Sequence, residues 1–544
     1  MKRLLLIILL IFNSTLFYAQ KNPVKELNGE QIKVKPINRT IDFSDALKIG
    51  DEYFLIGKKK MLDFSFLFIP YVKALHHTDF VLYKLDNKMN VKEWAVIPAL
   101  FNNKDIESLS IKNFDNQLVA FFYFNNVKHR KQYLFAQKIN MQTLKLEGNP
   151  YKIGEVAITK KQKNINCQFD ITITEDGLKM LVIGKKVDPK ITVSRNTRVE
   201  ESRLFLHIEN ITYWVYNNSF EIINEGKDIN FSKKTLIIDK AIDNEGNLCL
   251  LGFGKSIDYT GGYFSGTIEY MGSDMMIKII SNKGKQTDLK MAAESKFFSA
   301  KMIFRPSTGN LVVVGLLDGG SLGTNGIFSQ EVNLKEAKLL EENYTTFDEE
   351  LINSIGSLRP LKSSSKKTGD NLDSKSSNGD YIPRLTRIGY CYFNDSNQLI
   401  VVAQKHYSFT ERVTTYGYKG SVTTFDVIYY VFGDILVFKL GNEGNVDEFG
   451  HVFHYNKLSD KEIYKDYSAL YKNDKIYFIS YEDGAQINFD NTTSKIFALK
   501  EHETVNPLKP YTFSGYFDFN QSEILYIVSK RRKLQLTRIY INLN

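Results

Sequence analysis

Basic side chains recur shortly after short apolar runs along this chain: Lys58-Lys59-Lys60, Lys128-His129-Arg130-Lys131, Lys185-Lys186, Lys255, Lys405-His406 and Lys530-Arg531-Arg532-Lys533. Ammonium and guanidinium groups held on one surface attract anions and speed their encounter. Aromatic residues thread the same stretches, among them Tyr259, Tyr263 and Tyr407, and amphipathic rings beside cations suit sugar faces or protein anchors. The candidate binding residues are therefore Lys58, His76, His77, Lys128, His129, Arg130, Lys185, Tyr259, Tyr263, His406, Tyr407 and Arg531. Histidines could serve as bases or metal ligands, but none has carboxylates at ligand spacing, and His451 and His454, three apart on a strand, point to opposite faces. Gly319-Gly320-Ser321-Leu322-Gly323 matches the nucleophile-elbow pattern, yet a strand-like run follows where that motif needs a helix. Asp370–Asp380 lacks the closing Glu of a calcium loop. No catalytic residue, metal centre or cofactor is expected.

The elements that must position these residues are copies of one hairpin. It reads most plainly from Thr235 to Gly254, where two apolar β-type runs flank Asp243-Asn244-Glu245-Gly246-Asn247. Its second strand recurs as EYFLIG ending at Gly57, QLVAFF at Phe122, KMLVIG at Gly184, NLCLLG at Gly252, NLVVVG at Gly315, QLIVVA at Ala403, KIYFIS at Ser480 and ILYIVS at Ser529. The spacing of roughly 50–90 residues marks a repeat architecture. Most copies end in a small residue, as expected where something packs close against the backbone. A first strand precedes each copy and a third follows, as in FVLYKL (80–85) and KIFALK (495–500), then a tight turn and a fourth strand. Four antiparallel strands per unit, each joined to its sequence neighbour, make a propeller blade. The fold class expected is all-β, a β-propeller of eight four-stranded blades. Seven is the alternative, if the divergent third unit is irregular. The last unit runs out of chain after its third strand, so an N-terminal strand near Gln31–Pro36 is expected to complete it and hide both edges.

Three strands carry a resemblance. Thr78–Leu85, Ser273–Ile279 and Gly433–Leu440 each place an Asp at the start and a Lys near the end, and a Gly-containing turn follows the last two. In this they resemble the third strand of secreted bacterial β-propeller repeat proteins. The resemblance implies fold and export and names no ligand.

In a blade the two-to-three loop and the link to the next blade open on one face, and the other two turns open on the opposite face. The latter are short here, as at Asp115-Asn116 and Glu175-Asp176-Gly177. The long insertions, Lys58–Asp79, Lys185–Arg203, Lys255–Asp274, Asp318–Gly326 and Lys405–Asp434, all fall on the first face together with the basic clusters. A Ser/Lys/Asp-rich segment at 353–384 is expected to be a flexible insertion.

Residues 1–19 have the layout of a secretory leader, Lys2 and Arg3 before an apolar run and a cut after Ala19, leaving 20–544 as one domain. No later stretch approaches a membrane span. Three widely spaced cysteines argue against a disulfide framework, and the formal charge of +9 is too modest to suggest nucleic acid. The expectation is an exported, periplasmic or secreted, monomeric propeller. It binds an envelope or extracellular protein or an anionic carbohydrate through its loop face rather than acting as an enzyme. The alternatives are a polysaccharide lyase or glycoside hydrolase on the same scaffold, and a scaffold within an envelope assembly.

Overall fold

An apolar run such as Phe54-Leu55-Ile56 sends alternate side chains to opposite faces of its sheet, so burying it takes a neighbour on each side. Phe54 and Ile56 pack with Ile111, Leu118 and Phe122 of the following unit, whereas Leu55 packs with Leu525, Ile527 and Leu536 of the last. Each fully buried side chain of this size contributes about 1.5–3 kcal/mol. The period of two in the sequence is thus already an instruction to stack sheets.

The computed structural model describes residues 24–28, 32–33, 41–59, 79–101, 104–162, 167–187, 208–229, 235–260, 267–291, 297–318, 323–347, 382–383, 386–416, 422–441, 444–452, 456–459, 468–472, 475–479, 483–488, 494–498, 513–520, 523–530 and 533–541. The chain is a β-propeller built from four-stranded antiparallel units, each strand paired with its sequence neighbour. Unit one comprises Ile41–Ile49, Glu52–Lys59, Phe80–Leu85 and Val91–Ile97. Unit two runs through Glu107–Phe114, Gln117–Asn126, Lys131–Ile139 and Leu146–Ala157, and unit three through Phe169–Ile173, Lys179–Val187, Ile208–Asn217 and Ile222–Ile229. Unit four is Thr235–Ile242, Leu248–Thr260, Thr267–Ile280 and Gln286–Lys290, and unit five is Phe297–Phe304, Leu311–Asp318, Gly323–Asn333 and Lys338–Thr346. Unit six holds Thr386–Phe393, Leu399–Tyr416, Val422–Leu440 and Val446–Val452. Unit seven holds Ser468–Lys472, Lys475–Ile479, Asp483–Asn488 and Ser494–Ala498. Unit eight has Phe513–Asn520, Glu523–Lys530 and Lys533–Ile541 from the end of the chain. The divergent third unit has the same four strands as its neighbours.

The fourth strand of unit eight comes from the N-terminus, but earlier than the sequence suggested. Val24–Asn28 pairs with the last strand from Val24 opposite Ile541 to Asn28 opposite Thr537, and Ile32 and Lys33 merely extend that pairing at Leu534 and Lys533. Val24 and Leu27 supply the apolar positions of that short strand, which the more obvious alternation at Ile32 had hidden.

The strands have a radial order. Second and third strands are nearly all buried, as in Gln117–Asn126 and Phe80–Leu85, whereas fourth strands such as Val91–Ile97 and Lys338–Thr346 are largely exposed. First strands of consecutive units lie beside one another in units one and two, three to six, and seven and eight, and the first strand of unit eight lies beside that of unit one. First strands therefore form the inner wall and fourth strands the rim. The small residue at the end of the second strand has the role expected of it. A Cβ on Gly184 would sit 2.5 Å from Val156 of unit two and 3.2 Å from the Trp214 ring.

The short-turn end is laced together by hydrogen bonds between units. The Asp115 amide donates to the Gly177 carbonyl at 3.0 Å, Asn218 Nδ2 to Asp115 Oδ2 at 3.0 Å, Asn224 Nδ2 to the Ser281 carbonyl at 2.9 Å and Ser307 Oγ to Asn397 Oδ1 at 2.9 Å. Asp243 organises one such turn, its Oδ1 accepting from the Glu245 and Asn247 amides while Gly246 adopts φ +93°. Acidic turn residues thus join units as well as shaping turns, which the sequence had not suggested.

The opposite end carries the largest correction. The stretches Lys255–Asp274 and Lys405–Asp434, read from sequence as loop insertions, are mostly strand. Second and third strands of unit four run on to pair Thr260 with Thr267, and those of unit six to pair Tyr416 with Val422. The reason is β-propensity: Val422–Phe432 is almost all β-branched or aromatic, and such a run keeps its ladder. Asn456–Ser459 adds a further strand to the unit-six arm, opposite Tyr429–Phe432, and the third strand of unit four comes close to the second of unit six. No helix among the described residues is long and apolar enough to cross a membrane.

Candidate functional site: the inner wall and the arms

A bulge in the first strand recurs at the level of the small residue that ends the second. Phe43 lies opposite Gly57 and Asp45 opposite Ile56, and the same skip falls at Ser108 and Ser110, Ile237 and Asp239, and Ile388 and Tyr390. A bulge leaves one residue unpaired and re-aims the next. The residue after it faces the following unit. Asp239 Oδ2 accepts from the Met302 amide of unit five at 2.8 Å while its Oδ1 accepts from its own neighbour Lys240, and Ser299 Oγ accepts from the Ile388 amide of unit six at 3.1 Å. The unpaired edges of the unit-five and unit-six inner strands are thereby stitched to the preceding units.

Charged groups gather at this level in units one to five. Lys58 Nζ donates at 2.6 Å to the carbonyl of Leu109, the bulged residue of unit two. Tyr123 Oη donates to Glu107 Oε2 in unit two. In unit three Asp170, opposite Ile183, takes Lys185 Nζ at 2.5 Å and Lys240 Nζ of unit four at 2.9 Å, both on Oδ2. Burial alone would raise the Asp170 carboxyl, but the two ammonium groups outweigh it and hold it below the usual carboxylate range. The neighbouring Cys167 thiol is pushed up to about 12 by burial, so at neutral pH it is a protonated, weakly polar group and no nucleophile. Lys301 of unit five, opposite Val314, holds the place that Asp170 holds in unit three.

The residues singled out from the sequence are distributed as follows. Lys58 and Lys185 close equivalent second strands and turn toward the inner wall. Lys128, His129 and Arg130 form an exposed tight turn after the second strand of unit two, with the His129 amide donating to Asn126 Oδ1 at 3.1 Å and Arg130 at φ 54°. Tyr259 lies in the unit-four arm opposite Ile268. His406 and Tyr407 lie at the base of the unit-six arm, opposite Phe432 and Val431. His76, His77, Tyr263 and Arg531 lie outside the described residues, as does most of 353–384. Lys58, Lys128, His129, Arg130 and Lys185 fall near or beyond the ends of their second strands, whereas Tyr259, His406 and Tyr407 lie within the extended second strands of the arms. Glu107, Tyr123, Asp170, Lys240 and Lys301 were not foreseen. The available signal was charge inside an otherwise apolar first strand, as in Thr235–Ile242, TLIIDKAI.

No family model and no curated protein matches this chain. Among solved structures it is similar to the β-propeller domain of the Trilobed protease from Pyrococcus furiosus, at 11% identity over 87% of this chain and 99% of that one, TM-score 0.32. It is also similar to prolyl oligopeptidase B from Galerina marginata, at 10% identity over 91% of this chain and 56% of that one, TM-score 0.37. A third is Drosophila Plexin A in complex with Semaphorin 1b, at 10% identity over 96% and 88%, TM-score 0.31.

Proposed function

We propose that this protein is an exported propeller, its leader removed after Ala19, that docks a partner protein on its elaborated end. The observation that carries the reading is the asymmetry between the two ends of the units. At one end the described turns are short, and those of units two to six include several hydrogen-bonded across units. At the other, units four and six send out strand pairs of 13 and 14 and of 18 and 19 residues, far beyond what the blades use. Elaboration on a rigid scaffold is where binding sites concentrate. The arm sequences include Tyr259, Tyr270, Tyr407, Phe409, Tyr429 and Tyr430, and aromatic residues are enriched where proteins dock.

The test replaces Tyr407–Val431 by a two-residue Asn-Gly turn and compares cross-linked partners in intact cell envelopes, followed by reconstitution with the purified partner. Loss of a stoichiometric complex in the shortened protein, with an unchanged melting temperature, supports the reading. An identical partner set and affinity without the arm refutes it. Fractionation with mass determination of the mature N-terminus tests export.

A further inference from the structure

The outer edge of the unit-six arm is unlike the outer edges of the blades. In units one to five the fourth strand, which forms the rim, mixes Lys with Asp or Glu, as in Lys92 and Glu93, Lys227 and Asp228, and Lys338 and Glu341. Such charges keep a strand edge from pairing with another chain. The third strand of unit six, where it runs out into the arm, does without them: Val422–Phe432 carries Asp426 as its one charge and has neither Lys nor Pro. Asp426 stands opposite Arg412 of the arm's other strand. Along the outer edge Val446–Val452 flanks the blade and Asn456–Ser459 flanks Tyr429–Phe432. Beyond them Val422–Ile428 has a strand on one side only among the described residues. The end of the arm is therefore a two-stranded ribbon, an arrangement that is marginal in water until further strands join it.

We propose that the strand which joins is the same strand of a second copy: Val422–Ile428 of two chains pair antiparallel about Phe425 and close a four-stranded sheet between two propellers. This rests on the docking reading above and names the partner of the unit-six arm as this chain itself, in place of the monomer expected from the sequence. The occupant follows from the residues. Centred on Phe425, the pairing uses the whole stretch and sets Val422 opposite Ile428, Thr423 opposite Val427, Thr424 opposite Asp426 and Phe425 opposite its own copy. No like charges meet, and an aromatic pair falls on the two-fold axis. Asp426 has Arg412 opposite it within each ribbon, so the edge requires no opposite charge from its partner. A centre at Asp426 would set carboxylate against carboxylate and is disfavoured. A strand this short gives a small interface, so the dimer belongs at the weak end, with a dissociation constant of about 1 μM or above.

Sedimentation equilibrium of the chain from Gln20 to Asn544, at about 1 to 100 μM, tests it. The wild type should pass from monomer to dimer across that range. Phe425→Lys sets two ammonium groups against each other and should raise the dissociation constant about tenfold or more, and the arm-shortened protein should stay monomeric. Charge pairing reads the register. Thr423→Lys combined with Val427→Lys should abolish the dimer, whereas Thr423→Glu combined with Val427→Lys should keep it, because Thr423 of one chain meets Val427 of the other. A change that merely loosened the arm would not separate these two variants. A monomeric wild type, a Phe425→Lys protein that dimerises as the wild type does, or equal behaviour of the two double variants overturns the proposal. If the wild type is monomeric while an envelope partner still depends on the arm, this proposal falls and the docking reading stands. If both the partner set and the dimer are indifferent to the arm, the docking reading falls as well.

Discussion

Asp170 is the residue on which two neighbouring units agree, and its charge sets a pH dependence. Its folded-state pKa is depressed relative to the unfolded chain, so its contribution to stability is present above the unfolded value, near 4, and is lost as pH falls through the folded value. Urea unfolding of the wild type should therefore show a stability decline below about pH 4 that is smaller in Asp170→Asn. Gly184 makes a second residue-scale prediction. Any side chain there meets Val156 and Trp214, which are fixed by the unit-two and unit-three packing. Gly184→Val should destabilise by about 1–3 kcal/mol, read as a lower denaturation midpoint with an unchanged slope. Lys58, Lys128 and Lys185 were legible as basic residues after second strands. That Lys58 and Lys185 bend inward was not, because their partners lie on first strands whose proximity depends on sheet packing.

At the scale of elements, the arms and the bulges decide what the blades can do. A strand pair that leaves its blade loses the burial that holds blade strands together, so the unit-six arm rests on its ladder and on Asn456–Ser459. Replacing Tyr407–Val431 by a short turn should accordingly leave the melting temperature of the propeller within a few degrees of wild type, roughly the shift of 1 kcal/mol or less. A large fall, measured by calorimetry, would mean that the arm braces the blades. Position between blade strands makes the arms look like loops, whereas their β-branched and aromatic composition points to strand. The recurrent bulge was not legible at all, since one extra residue in a first strand leaves the apolar pattern nearly intact.

For the whole molecule, the N-terminal strand is the critical piece. Val24–Asn28 borders the last strand, whose unit packs on the first through Leu525, Ile527 and Leu536 against Tyr53, Leu55 and Val81. The same seam holds Lys48 against Glu523 at 2.9 Å and Arg538 against the Tyr53 hydroxyl at 2.7 Å. Glu26→Pro places the fixed φ and ring of proline at the centre of that pairing, opposite Ile539. It should lower the melting temperature and raise concentration-dependent association through the freed edge, both absent in Glu26→Gln and measurable by calorimetry and analytical ultracentrifugation. The sequence alone determined the blade strands other than the N-terminal one, their grouping in fours and the end on which elaboration collects, because those follow from local alternation, turn residues and spacing. The tertiary structure alone decided which polar groups meet. Asp170 and Lys240 are 70 residues apart in the chain and join only when the first strands of two units are laid side by side. A periodic pattern specifies that sheets must stack; which charges that stacking brings into contact depends on the register and bulge of each strand, and one residue of slip would exchange every partner.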